Sequence, residues 1–133
     1  MRKALIIAGI IVGIILLIGI AGFMLISNSA KNALASLEYE AIDMSRTDDG
    51  TYEGAADVGV VSVKVSVTVE DHAISHIYIL EHNSGKGAPA EAITQDMTAA
   101  NTYDVDAVSG ATLSSEAIKS AVSKALRAGC TER

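Results

Sequence analysis

The sequence predicts an α+β protein. An N-terminal transmembrane helix is followed by a small domain with an antiparallel sheet and two packed helices. Three observations predict this. Residues 4–26 form an apolar run without a charged side chain. Val61, Val63, Val65, Val67 and Val69 alternate with Ser62, Lys64, Ser66, Thr68 and Glu70. Helical periodicity then recurs around residues 89–101 and again at 114–128.

The 133 residues suffice for one domain and an appendage, with a modest core. Hydrophobic residues make up 50% of the chain and are densest in its first quarter. The formal net charge is -6, and Arg2 and Lys3 precede the apolar run, so the remainder is more acidic still. That balance argues against nucleic-acid binding and against adhesion to an anionic lipid surface. A single cysteine, Cys130, forms no internal disulfide. It reads as structurally indifferent near a frayed terminus, with intermolecular pairing as the alternative. There is no Cys-x-x-Cys or zinc-ligand spacing.

At ~1.5 Å per residue, the run 4–26 spans a bilayer core of about 30 Å. It has no polar face, as a soluble surface helix would. The preceding Arg2 and Lys3 keep the N-terminus cytoplasmic and send the rest outward. A cleaved signal peptide is the competing reading. Its core should be shorter, and the small-x-small pair Ala33 and Ala35 lies well past the end of the run. Gly9 and Gly13 make a GxxxG pair, read as ordinary membrane-helix glycines. The organisation expected is a cytoplasmic tip and signal anchor over 1–26, a tether over 27–48 and a domain over 49–129.

Within the tether, Ala33, Leu34, Leu37, Tyr39, Ala41, Ile42 and Met44 fit a short helix lying against the domain. Residues 47–50, Thr-Asp-Asp-Gly, signal a turn. Residues 51–57 read as a first strand interrupted by Gly54. The valine alternation over 61–70 is a strand with one buried face. Residues 71–73 make a tight connection to a third strand, 74–81, with Asp71-His72 where a hairpin favours glycine. That third strand has Ile77 and Ile79 on one side and Ile74, Tyr78 and Leu80 on the other. It is therefore expected to be central and covered on both faces. His82 to Gly87 form a polar loop. Pro89 suits a first helical turn, and Glu91, Ile93, Met97 and Ala100 continue a helix ending near Asn101. Residues 103–108 are extended. The last helix, 114–128, carries the stripe Ile118, Ala121, Val122, Ala125 and Leu126, with Gly129 as its C′ stop.

The stretch Asp106-Ala107-Val108-Ser109-Gly110-Ala111-Thr112 lies just before that helix. Small side chains and a glycine let backbone amides approach a ligand. A helix N-terminus adds free donors and partial positive charge, which suit a phosphate. The same residues also read as an ordinary cap, with Thr112, Ser114 or Ser115 bonding first-turn amides.

Asp-x-x-Ser-Gly-Ala-Thr before an amphipathic helix resembles the flavinylation motif of the FMN-binding domain family. That family includes the flavin-carrying subunits of the Na+-translocating NADH:quinone reductase and of the Rnf complex, and small membrane-anchored extracellular flavoproteins. The resemblance covers roughly residues 49–128. The stretch His82 to Gly87 with Ala90-Glu91 is similar to a His-x-x-Gly-basic-Gly segment in small members. Ala107 departs from the glycine often found after the motif aspartate.

The resemblance implies that Thr112 carries FMN through a phosphoester bond, placed by a flavin transferase that uses FAD. Ser109, Gly110, Ala111 and Leu113 would then give close approach, amide contacts and transferase recognition. Asp106 would orient the loop or bind the transferase, or stand as a solvated turn residue. His82 and Lys86 are candidate flavin contacts, against the plainer reading of a solvated loop pair. Tyr52, Tyr78 or Tyr103 could stack on the flavin. His72 and His76 read as surface and strand residues, and no metal site is expected. No dinucleotide or P-loop fingerprint is present. The chain would thus be an electron carrier rather than an enzyme. Electrons would come through a membrane donor such as a quinone or an Rnf-type reductase. The alternatives are a subunit of an Rnf-type membrane redox complex, or an unflavinylated surface module for binding or structure.

Overall fold

A computed structural model describes residues 1–83 and 88–131, apart from the side chains of Ile26 and Ala30. The chain divides into two compact units, Met1–Asn32 and Ala33–Arg133. The first is most of helix α1, Arg2–Ala35, which continues past the apolar run. Its most apolar window has a mean hydropathy of 3.1. Large apolar side chains such as Leu5, Ile10, Leu17 and Phe23 are exposed along it. Among the described residues it is the one helix long and apolar enough to cross a membrane.

The second unit is built on an antiparallel sheet in the order β1-β2-β3, with β1 Gly50–Asp57, β2 Ser62–Glu70 and β3 Ala73–Asn83. Helices α2, Ile93–Ala100, and α3, Thr112–Gly129, complete it. The alternating valines do what their period demands. Val63, Val65, Val67 and Val69 are buried, and the polar set faces out. On the outer face Lys64 pairs with Glu53 at 3.0 Å, and Thr51 bonds Thr68 across the strands. On the inner face α3 packs over β1 and β2, and α2 packs beside β3. Ile93, Met97, Ile118, Val122 and Leu126 fill the space between.

The central strand is β2, so the expectation for the third strand is corrected. β3 is an edge strand, and Tyr78 and Leu80 are 56% and 48% exposed. The faces its side chains take are set by two register shifts. Val69 faces Ile74 while Thr68 faces His76, and Val65 faces Ile79 while Lys64 faces Glu81. Each shift inserts one residue, Ser75 and then Leu80, and inverts the parity beyond it. Ile74, Ile77, Ile79 and His82 therefore all oppose valines of β2 on the inner face. The hairpin turn puts Asp71 and His72 at φ 53° and 60° without glycine. His72 is held there by its amide on Asp49 Oδ1 at 3.3 Å and its Nδ1 at 2.8 Å from the Thr47 carbonyl oxygen.

Gly54 does not interrupt β1, which pairs with β2 throughout. It lets α3 lie on the strand. A Cβ there would stand 2.0 Å from the Ala121 carbonyl oxygen and 2.7 Å from the Ala125 nitrogen. Gly129 is likewise no C′ stop but the last helical residue, where a Cβ would strike the Tyr52 ring at 2.4 Å. Just beyond, Cys130 is not in a frayed tail. It bridges to Thr47, and the Thr131 amide bonds the Arg46 carbonyl oxygen at 2.9 Å. These contacts set α3 antiparallel to β1. Its C-terminus lies at the start of β1, and its N-terminus lies toward the end where β1 finishes and β2 begins.

The stretch 37–43 is not a helix. It is an extended strap along α3, with Leu37, Ile42 and Met44 against the core. Serines of α3 satisfy its backbone in place of helical partners. Ser120 Oγ donates to the Glu38 carbonyl oxygen at 2.5 Å, and the Glu40 amide donates to Ser123 Oγ at 3.3 Å. Residues 88–92 form a 3₁₀ turn before α2. The left-handed Asn101, at φ 52°, ends α2 and accepts the Ile74 amide on its side chain at 2.9 Å.

Gly54→Ala should lower stability by at least about 3 kcal/mol, since backbone of α3 must move away. A thermal melt of the full chain followed by circular dichroism checks this. Val65→Asp should abolish the cooperative transition, because it places an unpaired charge at a fully buried position. A melt close to that of the wild type would overturn the sheet orientation.

Candidate functional site: the loop that opens α3

The motif loop enters α3 through a tight turn. The Ala111 amide bonds the Val108 carbonyl oxygen at 3.0 Å, and Gly110 sits at φ +80°. An L side chain would be strained at that φ, although nothing lies within 4 Å of the Cβ it would carry. The glycine thus serves conformation, and the space above the turn is open. From below, Ser115 holds the loop. Its Oγ accepts the Val108 amide at 2.9 Å and donates to the Ala111 carbonyl oxygen at 2.8 Å.

Helix α3 begins at Thr112, two residues before the expected start. Ala111 occupies the cap position, and no side chain among the described residues caps the helix. The capping alternative for Thr112, Ser114 and Ser115 is therefore not what the structure shows. The first intrahelical bond is from the Ser115 amide to Ala111 at 2.9 Å. The amides of Thr112, Leu113 and Ser114 precede it and have no i−4 partner. Thr112 is exposed, and its hydroxyl makes no hydrogen bond among the described residues. Ser109, Gly110 and Asp106 are also exposed, Leu113 is half-buried, and Ala111 is buried.

The surroundings are acidic. A cleft of about 560 Å³ beside the loop is lined by Asp96, Ala99, Ala100, Asp104, Val105 and Asp106. One cation tempers this: Lys119 Nζ lies 3.4 Å from both Asp104 Oδ1 and Glu116 Oε1.

The other candidates are not gathered here equally. His82 is not a solvated loop residue. It belongs to β3, and its side chain is only 2% exposed. Its Nδ1 is 2.9 Å from Glu91 Oε1, and its Nε2 is buried without a partner among the described residues. The burial follows from the second register shift, which turns position 82 inward opposite Val63. Lys86 lies outside the described residues. Tyr52 donates to the Asp48 carbonyl oxygen at 3.0 Å and packs at Gly129, about 25 Å along the helix from Thr112. Tyr78 sits on the outer face against His76. Tyr103 shortly precedes the loop and stacks on Tyr39. Sequence reasoning missed Tyr39 as a neighbour of this site, because nothing local marks a residue so far from the motif.

Taken together, fold and site define a small α+β domain that presents a threonine hydroxyl at an uncapped helix start, where a phosphate fits. The family model described as FMN-binding domain matches residues 59–127, more than half of the chain. The chain belongs to the FMN-binding domain family. No curated protein matches it. The match takes in β2, β3, α2, the motif loop and most of α3, and leaves out β1 and the strap. The loop residues fit the phosphate of FMN: free amides, the positive end of an 18-residue helix, and small side chains around open space.

Ser115→Ala should leave the Val108 amide without an acceptor and loosen the turn by about 1–3 kcal/mol. Hydrogen exchange should then quicken at Val108 by about tenfold or more, with α2 unaffected.

Proposed function

We propose that this chain is a membrane-anchored, extracytoplasmic electron carrier whose FMN is held by a phosphoester bond to Thr112. The observation that carries the reading is the exposed, unbonded Thr112 hydroxyl at an uncapped helix start, in a chain of the FMN-binding family. When bound, the flavin supplies reversible electron transfer.

The protein's part is to accept, hold and present that group. A flavin transferase would bring Thr112 Oγ to the FMN phosphorus of FAD. The Oγ–P bond forms, the pyrophosphate bond breaks, and AMP departs. The hydroxyl proton would pass to a base of the transferase, because no group among the described residues bonds Oγ. Gly110 keeps the approach open, and Ser115 holds the loop in its turned form. The amides of Thr112, Leu113 and Ser114 would be available to the diester's charge, as the start of a long helix favours. His82 and Lys86 are candidate contacts for the flavin ring, and Asp106 a recognition residue for the transferase.

The apolar α1, with Arg2 and Lys3 ahead of it, supports a single-pass anchor with its N-terminus in the cytoplasm. A tethered domain meets membrane partners at high effective concentration. The electron donor in this reading is a quinone or an Rnf-type reductase in the same membrane.

Thr112→Val should abolish attached flavin and leave the fold intact. With a co-produced transferase, the wild-type chain should gain the mass of one FMN, lost in the variant. Fluorescence of the denatured band in a gel gives the same comparison. A variant band as bright as the wild type would remove Thr112 as the acceptor.

A further inference from the structure

Thr112 does not stand alone on its face of α3. Glu116 and Lys119 follow it at i+4 and i+7, and so share that face. Glu116 Oε2 accepts a hydrogen bond of 2.5 Å from the Tyr39 hydroxyl. The Tyr39 ring lies nearly parallel to that of Tyr103, with centroids 6.3 Å apart and 14° between planes. The Tyr39 hydroxyl is thereby held at Glu116, one turn along α3 from Thr112, while its backbone runs beside Ser120 and Ser123 further along the same face. Tyr39 remains 42% exposed, so its ring offers surface to a further partner. Burial of its hydroxyl, then the Glu116 carboxylate, raises its pKa well above the ordinary phenol value. The ring therefore stays neutral at any physiological pH and keeps donating to Glu116.

We propose that Tyr39, backed by Tyr103, is the stacking seat for the isoalloxazine of the FMN carried on Thr112. The inference rests on the reading of Thr112 as the acceptor. A ribityl phosphate is a flexible chain of many rotatable bonds, so a flavin attached at Thr112 could extend along this face of α3 toward the pair. Flat aromatic rings stack in offset, nearly parallel geometry, and the Tyr39–Tyr103 pair already presents that plane. The other tyrosines of the domain do not compete. Tyr52 is at the far end of α3, and Tyr78 is on the opposite face of the sheet. The hydroxyl's hydrogen bond and the Ser120–Glu38 bond beside it hold the strap on α3. Residue 39 lies outside the stretch 59–127 that matches the family, so this chain supplies the seat from its own strap. Asp104 and Glu116 beside the seat work against negative charge on a reduced flavin, with Lys119 as a partial offset.

The test uses the full chain, flavinylated by a co-produced transferase and kept in detergent. Stacking on tyrosine quenches flavin fluorescence. The emission of the folded wild type should therefore rise on denaturation. Tyr39→Leu should keep one FMN by intact mass, keep its melting transition, and emit about twofold or more brighter when folded. Tyr39→Phe, which retains the ring and loses the hydroxyl, should stay quenched. A loaded Tyr39→Leu protein with the wild-type fluorescence lifetime would overturn the seat and leave Thr112 standing. A wild-type chain with no FMN mass would overturn both. If Tyr39→Leu fails to fold, the same readout on Tyr39→Phe and Tyr103→Leu decides. A Tyr39→Phe protein as bright as free FMN would sink the proposal.

Discussion

The close approach of α3 to β1 at Gly54 is the constraint on which the rest of the domain depends. A missing side chain lets the backbone of Ala121 and Ala125 rest on the strand. With the helix pinned at that point and its C-terminus fitted around Tyr52 at Gly129, its axial position is fixed. The first turn of α3 is then fixed as well, at the end of the sheet. The phosphate-compatible loop is rigidly placed because the helix it opens cannot slide. The motif loop sits where a packing constraint at the middle of α3 delivers it.

Helix α3 is buried on more than one side, which its small apolar stripe does not explain. Ala117, Ile118, Ala121 and Ala125 meet the sheet and core, while Ser120 and Ser123 are also buried. A buried hydroxyl without a partner is costly, and these two are satisfied by the backbone of the strap and of the helix itself. The strap therefore does structural work with polar contacts. It also brings Tyr39 next to Glu116 and so extends the surroundings of Thr112 beyond the family-matched stretch. One helix thus links three things: sheet packing, strap binding and the exposure of Thr112 at its start.

Much of the domain was legible in the sequence because the signals were local. Five alternating valines can bury one face only as a strand, and the hairpin and both helices follow from period and spacing. The motif loop was legible for a different reason. Its residues resemble a family pattern, and that family is the one the chain belongs to. The failures also have local causes. Strict alternation was carried through β3, but two inserted residues invert its parity, so Ile74 joins Ile77 inside and His82 turns inward. Gly54 read as an interruption because an isolated glycine in a strand gives no hint of a helix lying on it. The strap read as a helix because its apolar residues suited both periods, and its backbone partners lie some eighty positions away.

By itself, then, the sequence determined the apolar helix, the valine face, the hairpin, the amphipathic helices and the threonine at the head of the last one. Each depends on the period or chemistry of neighbouring residues, which is written in the chain. Tertiary structure alone decided which strand is central, why Gly54 and Gly129 lack side chains, that no side chain caps α3, and that Tyr39 stands beside Glu116. Those outcomes depend on contacts between distant segments, where steric room and the pairing of buried polar groups choose among arrangements that local pattern leaves equivalent.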